Sequence, residues 1–192
     1  MGKIYGNDSA CYACERKVGM MKEQLYFPIF VNLSEKKVIV VGGGAIAARR
    51  VRTLLLFGCE IIVIAPNLND SMKLLFGENP KLIWKPRVYR QGDCDGAFLV
   101  VAATNCRQVN QEIGQECQRK GIFVSVADRK EESSFYFPAI AMNGPIVAGI
   151  TSSGTNHKQA AQAAEEVRNC FAHMRQQEEK KVEKEIERCE LE

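Results

Sequence analysis

The chain has 192 residues, 46% of them hydrophobic and 26% charged, ordinary values for a globular protein with a core of its own. The net charge of +3 comes from opposite charges that are interleaved except in the C-terminal tail, too small an excess to argue for nucleic acid. No apolar run approaches the roughly 20 residues that span a bilayer, and the start of the chain lacks the apolar core of a signal peptide, so the sequence reads as cytoplasmic with no membrane partner.

Residues 1–24 are polar and without periodicity, and read as a disordered extension; Met20-Met21, just before the first patterned segment, suits a true start. Cys11 and Cys14 form the only close pair among eight cysteines. A zinc site needs a second pair or histidines at the right spacing, and the nearest histidine is His157, so no metal is expected. Cys59, Cys106 and Cys117 fall in or beside helices and loops, where free thiols are common in a reducing cytosol.

Folded sequence begins near Tyr26-Phe27-Pro28-Ile29-Phe30. A first strand is expected over Lys37–Val41, then a helix over Ala45–Phe57 closed by Gly58. A second strand, Ile61–Ala65, ends at Pro66. A short helix over Asp70–Phe76 and a third strand over Leu82–Lys85 follow. Ala97–Ala102 is almost uniformly apolar, as expected of a strand covered on both faces. A helix over Gln108–Arg119 and a fifth strand over Ile122–Val126 complete the alternation, whose strands lie too far apart for hairpins. The expected fold is therefore α/β, a Rossmann-like parallel sheet with right-handed crossovers.

After Asp128 the pattern changes. Phe135–Pro138 and Ile146–Ile150 read as two extended segments around a turn at Asn143-Gly144-Pro145. From His157 onward the pattern is helical, with a stripe of Ala160, Ala164, Val167, Phe171 and Met174. Residues 175–192 offer little to bury and are expected to be a solvated, fraying helix. The resulting division is an extension over 1–24, a dinucleotide-binding domain over 25–128, a segment over 129–152, and a short C-terminal helical region over 153–192.

The most informative stretch is Lys37–Ala47, KVIVVGGGAIA: strand, tight turn, helix, with Gly42-x-Gly44-x-x-Ala47 as a dinucleotide fingerprint. Gly42 supplies the turn, Gly44 lets backbone approach a pyrophosphate, and small Ala47 lets helix and strand pack closely. The first helical N–H groups then point at the phosphates. The second strand ends in Ala65-Pro66-Asn67 rather than in the acidic residue that commonly grips the adenosine ribose, which leaves NAD and NADP both open.

Five segments in order carry a family resemblance: Tyr26–Leu33 (YFPIFVNL), Val38–Arg50 (VIVVGGGAIAARR), Ile64–Asn67 (IAPN), Val100–Asn105 (VVAATN) and Val124–Ile140 (VSVADRKEESSFYFPAI). From about Tyr26 to Ala164 the chain resembles the precorrin-2 dehydrogenase, or siroheme synthase amino-terminal, family, whose members oxidise precorrin-2 to sirohydrochlorin with NAD. The resemblance implies Asp128 as the catalytic residue and a homodimer built through the 129–152 region. It implies cofactor contacts from Gly42, Gly43, Gly44, Ala45 and Ile46 on the pyrophosphate, Pro66 and Asn67 on the adenosine side, and Ala103 and Thr104 beside the nicotinamide. It also leaves room for iron insertion as a second activity, since the same aspartate serves both in that family. Two departures stand out: Ser153-Gly154-Thr155-Asn156-His157 replaces a Gly-x-Ser-Pro-type turn, and the C-terminal helical part is short.

The residues by themselves leave alternatives open. Asp128 lies past the end of a strand, where open α/β sheets place their ligands, but equally suits a turn cap or a pair with Arg129. Thr104 and Asn105 suit contact with the nicotinamide ribose or phosphate, or a helix N-cap. Ser152, Ser153 and Gly154 could hold a substrate carboxylate at a helix start or merely cap the helix. Arg49, Arg50 and Arg52 read mainly as solvated charges. A different class of function also remains: a non-catalytic nucleotide or tetrapyrrole module, a sensor or carrier, whose C-terminal part no longer closes over substrate. The C-terminal region is the feature that separates the two.

Overall fold

A computed structural model describes residues 26–153 and 155–189. The expected extension, with Cys11 and Cys14, and Gly154 lie outside the described residues. Five parallel strands, β1 (Lys37–Val41), β2 (Glu60–Ile64), β3 (Ile83–Lys85), β4 (Leu99–Ala102) and β5 (Phe123–Val126), form one sheet in the order β3-β2-β1-β4-β5. Helices α1 (Ala45–Leu55) and α2 (Asp70–Glu78) follow β1 and β2, and α3 (Arg107–Lys120) joins β4 to β5. The doubly wound α/β sheet read from the sequence is thus present, each strand within about two residues of its expected bounds.

Strand alternation sorts the core. Val38, Val40, Ile61, Val63, Leu99 and Val101 face one side and pack on Ala47, Ala48, Val51 and Leu54 of α1 and on Met72 and Leu75 of α2. Ile39, Val41, Ile64, Val100, Ala102, Val124 and Val126 face the other and pack on Ile113 and Cys117 of α3. Both faces are covered, which is why these strands read as continuous apolar runs.

The segment after β5 does not extend where the sequence suggested. Phe135–Pro138 is irregular, and the first extended stretch is β6 (Ala139–Asn143), paired antiparallel with β7 (Ile146–Ile150). Pro138 lacks a donor for a ladder, and Phe135 and Phe137 instead pack against the α1 face of the core. Before that, Ser133 and Ser134 run along the outer edge of β5: their hydroxyls accept from the Val126 and Val124 N–H groups at 2.9 and 2.8 Å. The two serines thereby blunt an edge that would otherwise be open.

The last helix, α4 (His157–Cys189), packs on the β6–β7 hairpin at its start and continues through the charged tail. The helix runs unbroken to Cys189. Glu, Lys, Arg and Gln are good helix formers, and opposite charges three and four residues apart support an exposed helix. Among the described residues no helix is long and apolar enough to cross a membrane.

Candidate functional site

Two clefts open near the carboxyl ends of the strands, the first lined by the loop that joins β1 to α1 and the second by α1 itself and the end of β5. The first, of about 570 Å³, is lined by Gly42, Gly43, Gly44, Pro66, Asn67, Ala103 and Thr104, together with Val88, Tyr89 and Val109. Its lining among the described residues carries no charged side chain.

The glycine loop is built by backbone packing. Gly42 has φ +123°, and a Cβ there would sit 2.2 Å from the Ala103 carbonyl oxygen; one on Gly43 would sit 2.0 Å from that of Asn67. Backbone bonds from Gly42 N to the Ile64 carbonyl and from Asn69 N to the Gly43 carbonyl, both 2.9 Å, tie the loop to the end of β2. Gly44 differs from its two neighbours. It is the N-cap of α1, extended at φ −85° and ψ −175°, and a Cβ on it would meet nothing within 4 Å. A side chain is therefore excluded at Gly42 and Gly43, while Gly44 faces open space.

That open space suits a pyrophosphate. No side chain caps α1 and no acidic residue occupies its first turn, so the N–H groups that helix geometry leaves without partners remain available to an anion. Ala45 and Ile46 do not line this cleft; they can contribute only backbone, and the Ile46 side chain belongs to the second cleft.

Thr104 is held on several sides by Asn110, a fully buried side chain of α3. Asn110 Oδ1 accepts from the Thr104 N–H at 3.0 Å and the Thr104 hydroxyl at 2.7 Å, and Asn110 Nδ2 donates to the Thr104 carbonyl at 3.0 Å. The N-cap of α3 is Cys106, not Thr104, although the Thr104 hydroxyl accepts the Cys106 N–H at 3.2 Å. Sequence reasoning passed over Asn110; one turn into a helix, a buried amide leaves no local pattern.

The second cleft, of about 1070 Å³, lies between α1, the end of β5, the 133–142 segment and the first half of α4. Arg49, Arg50, Lys130, Arg168 and Arg175 line it with His157, and none of its described lining residues is acidic. Arg50 lies over the Phe137 ring, 4.3 Å from its centroid, a cation–π contact. Burial, and then the neighbouring Arg49, pull its pKa down to about 10, which leaves it charged at neutral pH. Arg168 donates to the Ile140 carbonyl at 3.3 Å and Arg175 to Asn143 Oδ1 at 3.2 Å, so both are anchored on the hairpin. Ser152 lines this cleft and Ser153 does not. The Asn156 side chain, which accepts from Gln159 N at 3.0 Å, caps α4, while the Ser152 hydroxyl accepts from Asn156 N at 3.0 Å.

Asp128 lines neither cleft. It stands in the turn after β5, next to Ala127, which does line the second cleft. Its carboxylate meets Arg107 Nη1 at 3.3 Å rather than Arg129, the partner that adjacency suggested. Arg107, the first residue of α3, also binds Glu132, so one guanidinium joins the β4–α3 loop to the turn carrying Asp128.

The family model described as putative NAD(P)-binding matches residues 29–139. A probable multifunctional siroheme biosynthesis protein HemA from Ruminiclostridium josui is 46% identical over 144 residues, 74% of this chain and 28% of that protein. The siroheme synthase of Zymomonas mobilis is 36% identical over 131 residues, 68% of this chain and 28% of that protein. This chain thus spans little more than a quarter of these curated relatives. A solved structure described as SirC, precorrin-2 dehydrogenase, superposes with a TM-score of 0.64 over 75% of this chain and 70% of that one, at 24% identity, a likeness of fold. With a glycine loop open to a pyrophosphate and a family model matched over more than half its length, the chain belongs to the putative NAD(P)-binding family, as its resemblance to siroheme synthase amino-terminal domains implied.

Proposed function

We propose that the protein oxidises precorrin-2 to sirohydrochlorin, with NAD as the hydride acceptor. The observation that carries this reading is the pairing of a neutral cleft at the glycine loop with a cationic cleft lined by α1, the helix that this loop opens. A tetrapyrrole rimmed with acetate and propionate groups needs a large cavity with several cations and no competing carboxylates. Guanidinium groups bind carboxylates with two parallel hydrogen bonds. Arg49, Arg50 and Arg175 line the cavity without a paired carboxylate among the described residues, and Arg168 lines it while paired with Glu165 at 2.5 Å. The absence of Lys and Arg from the described lining of the dinucleotide cleft favours NAD over NADP, whose 2′-phosphate would lack a counter-charge there.

Within this reading the residues divide the work. Gly42, Gly43 and Gly44 present backbone to the pyrophosphate, Pro66 and Asn67 bound the adenosine side, and Ala103 and Thr104 face the nicotinamide half. Ser152 and the arginines orient the macrocycle, and Asp128 takes the proton released as hydride leaves carbon. The contribution of α4 to the lining of the cationic cleft, through His157, Ala160, Ala161, Arg168 and Arg175, supports an enzyme over a carrier. The turn that carries Asp128 borders the cleft through Ala127, and its carboxylate is engaged by Arg107.

Anaerobic incubation with precorrin-2 and NAD, followed by the sirohydrochlorin spectrum, tests the activity. The triple variant Arg50→Gln, Arg168→Gln, Arg175→Gln should raise KM for precorrin-2 by roughly a hundredfold or more, since each of the three lost charge-assisted contacts is worth about 1.5 kcal/mol, with NAD affinity unchanged. A wild-type protein without turnover would leave the carrier reading standing.

The same reading includes a homodimer formed through residues 129–152. β6 and β7 pair only with each other among the described strands, so each keeps an outer edge open to a strand of a second copy. Ile146 is exposed, as are Phe27, Ile29 and Phe30 in the segment before β1. A monomer by light scattering at micromolar concentration would count against the dimer.

A further inference from the structure

Residues 86–98 join β3 to β4 without a crossover helix, so the shape of this connection depends on side chains. Arg87 grips Asp93 with both terminal nitrogens, at 2.7 and 2.6 Å, and the Arg90 N–H donates to the same carboxylate at 2.8 Å. A second clamp comes from α3. Glu116 is 1% exposed, and its carboxylate accepts from the Tyr89 hydroxyl, from the Gly92 N–H at 3.1 Å, and from Lys120 Nζ at 2.7 Å. Lys120 also reaches Asp95, farther along the same connection. Burial alone would push the Glu116 carboxyl upward, but the bonds from Lys120, Tyr89 and Gly92 outweigh it and hold the group below its ordinary range. It is a buried charge with its partners in place, an arrangement that removal of one partner disrupts strongly.

The connection held this way is one wall of the dinucleotide cleft, through Val88 and Tyr89. It leaves the sheet from β3, the strand beyond β2, on the side of the cleft that also holds Pro66, Asn67 and Leu68. Val88 and the Tyr89 ring are apolar side chains there, suited to the flat face of a purine, and Val109 of α3 lines the same cleft. Glu116 lies seven residues after Val109, on the same stripe of α3, so one helix carries both a piece of the wall and the clamp on the rest.

We propose that Glu116 is a positioning residue for cofactor binding, fixing Tyr89 and its connection as the wall against which the adenosine half of the dinucleotide packs. The inference rests on the dinucleotide reading of this cleft and adds a determinant outside the glycine fingerprint. The test is calorimetric titration of the full chain with NAD and with ADP, which carries the adenosine half alone, below the melting temperature of each variant. Tyr89→Phe and Glu116→Gln should each weaken both ligands by roughly tenfold. The double variant should lose no more than the worse single one, because the two groups act as one unit. A merely structural role would lower the melting temperature and leave the affinities of the folded protein unchanged, and that result overturns the proposal. So does a loss confined to NAD with ADP unaffected, or additive losses in the double variant. Tyr89→Phe keeps the ring and its packing, so it carries the test should Glu116→Gln fail to fold. A wild-type protein that binds neither ligand overturns the dinucleotide reading along with this one; normal wild-type binding with unchanged variants overturns this one alone.

Discussion

Gly44→Val should abolish NAD binding while the melting temperature stays within a few degrees of wild type. The backbone at Gly44 is extended, at φ −85° and ψ −175°, a region that a β-branched residue accepts readily. Its added side chain would meet no protein atom within 4 Å at the Cβ, so the fold has no reason to resist. The methyl groups would instead stand where a pyrophosphate must come to reach the first turn of α1. A clash of about 3 kcal/mol is more than a hundredfold in affinity. The neighbouring glycines should behave oppositely. Alanine at Gly42 is forced into a positive φ and drives its Cβ onto the Ala103 carbonyl, and alanine at Gly43 meets the Asn67 carbonyl. Either should destabilise the whole domain, on the order of 3 kcal/mol. Calorimetry with NAD and thermal melts on the three variants separate the two effects. A Gly44→Val protein with wild-type affinity would remove the pyrophosphate from this loop.

The contrast among these glycines shows where the sequence was legible. A strand that stops at Gly42-Gly43-Gly44 and turns directly into a helix carries its meaning in eleven consecutive residues, so the loop and the elements on either side of it could be read locally. The sequence could not say which glycine excludes a side chain, because that depends on Ala103 and Asn67 approaching from the loops after β4 and β2. The cationic cleft was hidden for a similar reason. Arg49 and Arg50 belong to α1, Lys130 to the turn after β5, and Arg168 and Arg175 to α4. Each alone looks like a solvated charge, and only the fold gathers them around one cavity. The β3–β4 connection was passed over because its order comes from pairs such as Tyr89 and Glu116, 27 residues apart. Glu116 itself sits in a helix whose composition reads as polar. Phe135–Pro138 misled in the other direction: a local run of aromatic residues resembles a strand, yet the rings are taken up by the α1 face of the core.

Asp128 is the position at which the proposed chemistry is most exposed to test. Its carboxylate is partly exposed and shares Arg107 with Glu132. Exposed pairs of this kind contribute about 0–1 kcal/mol, and Arg107 keeps Glu132 when Asp128 is lost. Asp128→Asn and Asp128→Ala should therefore melt close to wild type, so a loss of activity cannot be assigned to unfolding. NAD affinity should stay within a few-fold, because Asp128 does not line the dinucleotide cleft. Precorrin-2 oxidation should fall by roughly a hundredfold or more, the usual consequence of losing a positioned acid–base group. The asparagine variant should be nearly as damaged as the alanine one, since an amide keeps the shape and still faces Arg107 but cannot take a proton. For the aspartate to act, its carboxylate must turn from Arg107 toward the cleft bordered by Ala127, and a bound macrocycle with its own carboxylates supplies a competitor for that guanidinium. Near-normal turnover in either variant would reduce Asp128 to the partner of Arg107 and move the proton acceptor elsewhere in the second cleft. The carrier reading would gain from that result only if the wild-type protein were inactive as well.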